Sequence, residues 1–278
     1  MSMAELALDI DWARTAFPQA DGRDSATILA LRRWRQRPVE GAPSLFGGRV
    51  AVRNRASGGL PAPQYLPAPC DHPHLSEAEH VLGAWPEAAA QAGLLLDEIQ
   101  PWIDTRVPES ARSVPGSSSH SLDEEFGTIM LTIDHPFGIA QAIVHEMAHH
   151  KLRALGVSVT SAQHMVANDP SELYRSPIIT DRRRPMTAVL HAQYSFMHVT
   201  ALDVAVYDAM PERRAEAVFL LARNVPRMEA GREEIARHLR IADAAGEAFL
   251  GAFADWSDAV LARGQAILDA EGYGLPPL

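Results

Sequence analysis

His145, Glu146 and His149 fall in the stretch "AQAIVHEMAHHKL", residues 140–152, with the spacing H-E-x-x-H. On a helix, residues four apart share a face, so both imidazoles can reach one metal ion while Glu146 lies beside it. Neutral imidazole suits zinc and iron alike. The motif therefore leaves two chemistries open: a zinc peptidase, in which Glu146 takes the proton of metal-bound water, or another metal doing other work on the same ligands. The alternative to a metal site is a half-exposed helix that happens to carry two of the chain's 12 histidines. The apolar "IAQAIV" just before the motif and the strand pattern ahead of it favour the site.

A third ligand has to come from elsewhere. The extended pattern H-E-x-x-H-x-x-G-x-x-H fails, with Leu152 at the glycine position and Leu155 at the histidine position. Candidates downstream are Glu172 in "DPSELYRSP" and His191 and His198 in "AVLHAQYSFMHV". Glu172 would complete a peptidase-like set. His191 and His198 lie seven apart on an apolar helical pattern and share a face, and His191 is preferred as the ligand. His150 points about 100° away from the pair, toward the surface or the surroundings of the site.

These residues need elements to hold them. "TIMLTID", residues 128–134, reads as a buried strand, followed by Asp134 as helix cap and Pro136 in the first turn of the motif helix. A second long helix is expected over Met186–Ala209, and a helical hairpin or small bundle over about 211–271. Upstream, residues 4–37 suggest two short helices with Asp24 or Ser25 capping the second, and "GGRVAVRN" suggests a strand. Residues 76–99 suggest one helix opened by Ser76 and Glu79. "VPGSSSHSLDEEFG" reads as a polar loop. The expectation is a mainly α fold: one domain over 1–278, a helical body with a small β element beside the motif helix, and a metal-site core at about 116–206.

The composition narrows the function. A formal net charge of -10 disfavours a nucleic-acid binder, which needs clustered cations; Lys151 is the only lysine among 25 basic residues. The acidic balance also suggests a preference for basic peptide regions. With Cys70 alone, an intrachain disulfide and a thiolate metal cage are excluded. The N-terminal stretch lacks a signal-peptide pattern and no apolar run is long enough for a membrane span, so a cytoplasmic protein is expected.

Three segments, "GSSSHSLDEEFGTIMLTID", "AIVHEMAHHKLRAL" and "LYRSPIITDRRRPMTAVLHAQYSFMHV", together resemble the bacterial HEXXH motif-containing peptide-modification proteins that accompany ribosomally made, post-translationally modified peptides. The similarity spans about residues 116–206, and the downstream Arg-Pro with "LHAxYxF" makes it more specific than H-E-x-x-H alone. The resemblance implies an iron(II)- and 2-oxoglutarate-dependent oxygenase that hydroxylates a precursor peptide, with His145, His149 and His191 on the iron. It further implies that Arg184 of "DRRRP" binds the far carboxylate of 2-oxoglutarate, with hydroxyls from the Ser117–Ser119 run, Ser118 among them, and from Tyr174. In such an enzyme Glu146 is no general base and is free to hydrogen-bond a ligand histidine or the substrate. The competing expectations are a zinc peptidase and a non-catalytic peptide-binding scaffold.

Overall fold

A mixed sheet, rather than helices alone, organises the chain. The structure is a computed structural model and describes residues 10–31, 43–54, 63–121, 125–159 and 165–273. Its sheet contains β1 (Ser44–Leu45), β2 (Val50–Val52), β3 (Tyr65–Pro67), β4 (Glu98–Asp104), β5 (Ser119–Ser121) and β6 (Thr128–Thr132), ordered β1, β2, β4, β6, β5, with β3 also on β4. β2 with β4 and β4 with β6 are parallel, whereas β5 closes one side antiparallel to β6. Around it stand α1 (Arg23–Leu31), α2 (Pro73–Leu82), α3 (Pro86–Leu95), α4 (Pro136–Ala154), α5 (Met186–Ala209), α6 (Arg214–His238) and α7 (Ala244–Ala270). A two-stranded ribbon, β7 (Leu173–Tyr174) with β8 (Arg184–Pro185), precedes α5.

This is an α/β arrangement, and it corrects the expectation of a mainly helical domain. The sheet escaped notice because its central strand hides its pattern. β4 reads "EIQPWID", and Glu98 to Trp102 are all buried, so the hydrophobic alternation of a half-exposed strand is absent. Pro101 is also unusual in a central strand because it has no N–H to donate. Here it pairs with Leu131 of β6, and its carbonyl accepts from the Ala68 amide at 3.0 Å. β5 lies inside the stretch read as a polar loop.

Residues 76–99 form two helices and the start of β4 instead of one helix. The chain breaks at Gly83–Trp85, and Pro86 begins α3, where its missing N–H costs nothing. The start of α2 also differs from expectation. His72 caps it, with Nδ1 accepting from the His74 amide at 3.3 Å, while the Ser76 hydroxyl turns back to the Pro73 carbonyl at 2.9 Å. Asp24 and Ser25 sit within α1 and point inward. Parts of the expected 4–37 segment lie outside the described residues.

The motif helix is held from every side. Pro136 occupies its first position, and the cap is His135, whose Nδ1 accepts from the Phe137 amide at 3.2 Å; Asp134 instead lies 3.4 Å from Arg112. Ile139, Ile143 and Met147 are fully buried, and α4 packs on α2, α3, α5, β5 and β6. Its far end carries the chain's single lysine into the core. Lys151 is 0% exposed and lies 3.4 Å from both Asp24 Oδ2 and Gln91 Oε1. Burial pulls its ammonium down to about 8, against the attraction of Asp24. A buried pair of this kind ties α1 and α3 to α4 and is costly to break from one side only. The helix expected over Met186–Ala209 forms with those bounds as α5, and α6 with α7 make the expected C-terminal hairpin. Among the described residues no helix is long and apolar enough to cross a membrane.

Candidate metal centre

The helical spacing does what it must: His145 Nε2 and His149 Nε2 face each other at 3.1 Å. Two nitrogens each about 2.1 Å from one ion stand roughly 3.0 to 3.4 Å apart for angles between octahedral and tetrahedral. The pair fits two neighbouring positions on such an ion. Burial pushes both imidazoles toward the neutral form, and for His149 the adjoining His145 and His191 push further. Neutral rings are what metal ligation requires.

His191 comes to the pair from α5. Its ring stacks on that of His149 at 5.2 Å, and its Nδ1 lies 2.9 Å from His149 Nδ1. Its other nitrogen, Nε2, lies 2.8 Å from the Val157 carbonyl. A carbonyl only accepts, so Nε2 carries the proton and Nδ1 of the neutral ring is an acceptor. The proton between the two Nδ1 atoms then belongs to His149, which leaves His149 Nε2 a bare lone pair turned to His145. His191 thus backs His149 and fixes its tautomer, the part that a hydrogen-bond partner of a metal-bound histidine plays. Among the described residues no group of three His, Cys, Asp or Glu side chains is arranged as a ligating cluster.

Glu146 is 2% exposed, and its Oε1 lies 3.9 Å from His145 Nε2 and accepts from Ser119 Oγ at 2.7 Å. The edge strand β5 is thereby fastened to the motif helix. The three serines leading into β5 divide between two hollows. Ser117 and Ser119 line the cleft beside His145, whereas Ser118 lines only a second hollow with Tyr65, Trp102 and His120, which Ser119 also borders. The expectation placed Ser118 at the site, and the structure puts its neighbours Ser117 and Ser119 there instead. Phe196 closes the other wall, edge-on to His145 at 5.0 Å.

The remaining candidates lie in other surroundings. Glu172 hydrogen-bonds the Tyr174 hydroxyl and pairs with Arg240 at 2.6 Å on the surface, and Tyr174 OH also takes the Asn168 amide at 2.8 Å. Neither residue lines the cleft. Arg184 belongs to the β7–β8 ribbon, paired with Tyr174 through the backbone, and likewise does not line it. His198 is fully buried among Trp85, Tyr194 and Trp256, with Nδ1 on the Tyr194 carbonyl at 2.8 Å and its ring held neutral by burial, its pKa down to about 3. It is a core histidine. His150 is also fully buried, against Phe126, rather than at the surface.

The cleft itself measures about 330 Å³. Its walls are Gly116, Gly138, Ala142, Phe196 and Val199, with Gln141 and Ser119 as polar points. Its charged members are Arg223 and Arg227 of α6, and no Asp or Glu lines it. Sequence reasoning passed over both arginines, since they sit in the helix after α5 and carry no motif. Close approach makes the cleft narrow. A Cβ on Gly138 would stand 2.2 Å from the Gly116 carbonyl oxygen, so only glycine lets the loop leading to Ser119 cross α4 there.

No model of a known protein family matches this sequence, and no curated protein matches it.

Proposed function

We propose that this chain is a cytoplasmic, iron(II)- and 2-oxoglutarate-dependent oxygenase that hydroxylates a side-chain carbon of a ribosomally made precursor peptide. One observation carries the reading. The three sequence segments that resemble the peptide-modification proteins form different elements, yet they converge on one site: Ser119 on Glu146, His191 on His149 and Phe196 on His145.

Iron bound at His145 and His149 would supply the redox chemistry by which dioxygen is reduced. The balance is one C–H bond, one O2 and one 2-oxoglutarate consumed, with one C–OH, one succinate and one CO2 formed. Two electrons come from the substrate carbon and two from the keto acid. The chain's own part is orientation and exclusion of water. His191 holds the His149 ring in the ligating tautomer, and Ser119 holds Glu146 against β5. Phe196, Val199 and Ala142 give the reacting carbon an apolar wall. A groove of about 710 Å³ shares Arg227 with the cleft and carries Arg175, Arg182, Arg183 and Arg237 against the acids Asp181, Glu233 and Glu234, of which Glu233 pairs with Arg237 and Glu234 accepts from the Arg175 amide. Its arginines outnumber its acids, so the groove suits an extended peptide flank that carries acidic residues. It reverses the preference suggested by net charge, because local side chains rather than the whole-chain sum set the field in a groove.

A second reading, a zinc peptidase, is favoured by one feature: the Glu146 carboxylate stands 3.9 Å from His145 Nε2, where a base for metal-bound water belongs. Glu146→Gln and a metal exchange separate the two. In the oxygenase, Glu146→Gln keeps its metal and much of its turnover, zinc silences the protein, and iron restores it. Loss of nearly all turnover in Glu146→Gln, with zinc sustaining activity, supports the peptidase instead.

A further inference from the structure

Arg223 and Arg227 lie one helical turn apart on α6 and both line the His145 cleft. Like charges at this spacing repel, and such a pair costs stability unless an anion sits between or beside them. Among the described residues neither guanidinium has a carboxylate within ion-pair distance. Arg223 is half-buried and Arg227 exposed; burial works against the Arg223 cation, the charge of Asp203 favours it, and that of Arg227 opposes it. It is nonetheless held in place. Gln141 of α4 donates to Asp203 Oδ1 at 2.6 Å, Asn224 donates to Asp203 Oδ2 at 2.9 Å, and Arg223 Nε donates to Asn224 Oδ1 at 3.4 Å. This chain of hydrogen bonds crosses α4, α5 and α6 and ends at the cleft. Only Nε is occupied in it, so the two terminal nitrogens of the guanidinium remain to form a fork for a carboxylate.

We propose that Arg223, supported by Arg227, is the carboxylate-binding residue of this cleft, in place of Arg184. The proposal rests on the reading of the cleft as the reaction site, and the carboxylate belongs either to 2-oxoglutarate or to the peptide itself. A dicarboxylate with one end toward His145 and the other on Arg223 is a small molecule that the cleft volume accommodates. Lysine is a poor substitute at such a fork because it offers one point charge rather than two parallel N–H groups.

Isothermal titration of the full-length protein loaded with manganese(II) tests this, with 2-oxoglutarate as one probe and N-acetyl-tetra-alanine, as free acid and as amide, as the other. Wild type should bind 2-oxoglutarate saturably. Arg223→Gln should weaken binding by roughly tenfold to a hundredfold, Arg223→Lys should recover part of it, and Arg184→Gln should stay within about twofold. Circular dichroism melts of each variant establish that it is folded. Binding of the free-acid peptide but not its amide, lost in Arg223→Gln, with no 2-oxoglutarate binding, keeps the carboxylate site and removes the oxygenase reading. Wild-type affinity in Arg223→Gln, loss in Arg184→Gln instead, or no binding of either carboxylate by wild type overturns the proposal.

Discussion

Ser119 Oγ donates a hydrogen bond to Glu146 Oε1 across 2.7 Å, and it joins the edge strand of the sheet to the motif helix at the point where both meet the cleft. Removing the hydroxyl leaves a buried carboxylate short of one donor, which costs about 1.5 to 3 kcal/mol. Ser119→Ala should therefore lower the melting temperature by roughly 3 to 10 °C, while metal stoichiometry after dialysis stays at the wild-type value. The same substitution at Ser118, which faces the other hollow, should leave both quantities nearly unchanged. Equal effects at the two serines would show that the hydrogen bond to Glu146 is not what Ser119 contributes.

Gly138 and Gly116 impose a steric condition on the same junction. Gly138→Ala would place a Cβ 2.2 Å from the Gly116 carbonyl oxygen, so the helix and the loop before β5 must separate. Overpacking of this kind costs about 1 to 3 kcal/mol. The variant should melt earlier than wild type, and its affinity for metal should fall because His145 lies two turns along the displaced helix. Unchanged melting and metal binding together would show that the crossing is looser than the structure has it.

The parts of the molecule that were legible in the sequence are those with a strong helical period or a motif. The bounds of α5, the α6–α7 hairpin and the strand before α4 followed from apolar spacing alone. The meeting of His145 with His149 followed from the i, i+4 rule. What stayed hidden was set by tertiary surroundings. β4 is buried from Glu98 to Trp102 and carries Pro101, so it offered no alternation to read. The polar run holding Ser119 becomes a strand only because β6 lies beside it. Arg223 and Arg227 reach the cleft only because α6 packs across α5, which no local pattern announces. His191 was legible as a partner of the pair, but the atom it turns to His149 depends on Val157, 34 residues earlier.

The buried carboxyl of Asp203 gives a pH signature. Burial raises its pKa from an ordinary 3.8 to about 7, against the hydrogen bonds from Asn224 and Gln141. Between those two values the unfolded chain has released the proton and the folded chain retains it. Stability contributed by this group therefore falls as pH rises from about 4 to about 7, and the slope ends above that. Asp203→Asn removes the titration. The melting temperature of the variant minus that of wild type should increase steadily across this window; parallel curves would show that Asp203 does not titrate there.

The roles of the three histidines separate by metal affinity. His145→Ala and His149→Ala each remove one of two anchoring imidazoles and should abolish stoichiometric binding of a divalent metal. His191→Ala removes the partner that fixes the His149 tautomer and should weaken affinity by about tenfold to a hundredfold at unchanged stoichiometry. Titration with competing chelators reads both. Complete loss of metal in His191→Ala would make it a direct ligand, and full retention in His145→Ala and His149→Ala would dissolve the site.

The most direct test of the oxygenase assignment is succinate release. Purified full-length protein, reconstituted with iron(II) and given ascorbate and 2-oxoglutarate in air, should form succinate. It should form none under nitrogen, none with zinc in place of iron, and none in His145→Ala. A zinc-loaded, iron-free preparation that cuts peptide backbones without 2-oxoglutarate, and an iron-loaded one that releases no succinate in air, would contradict it.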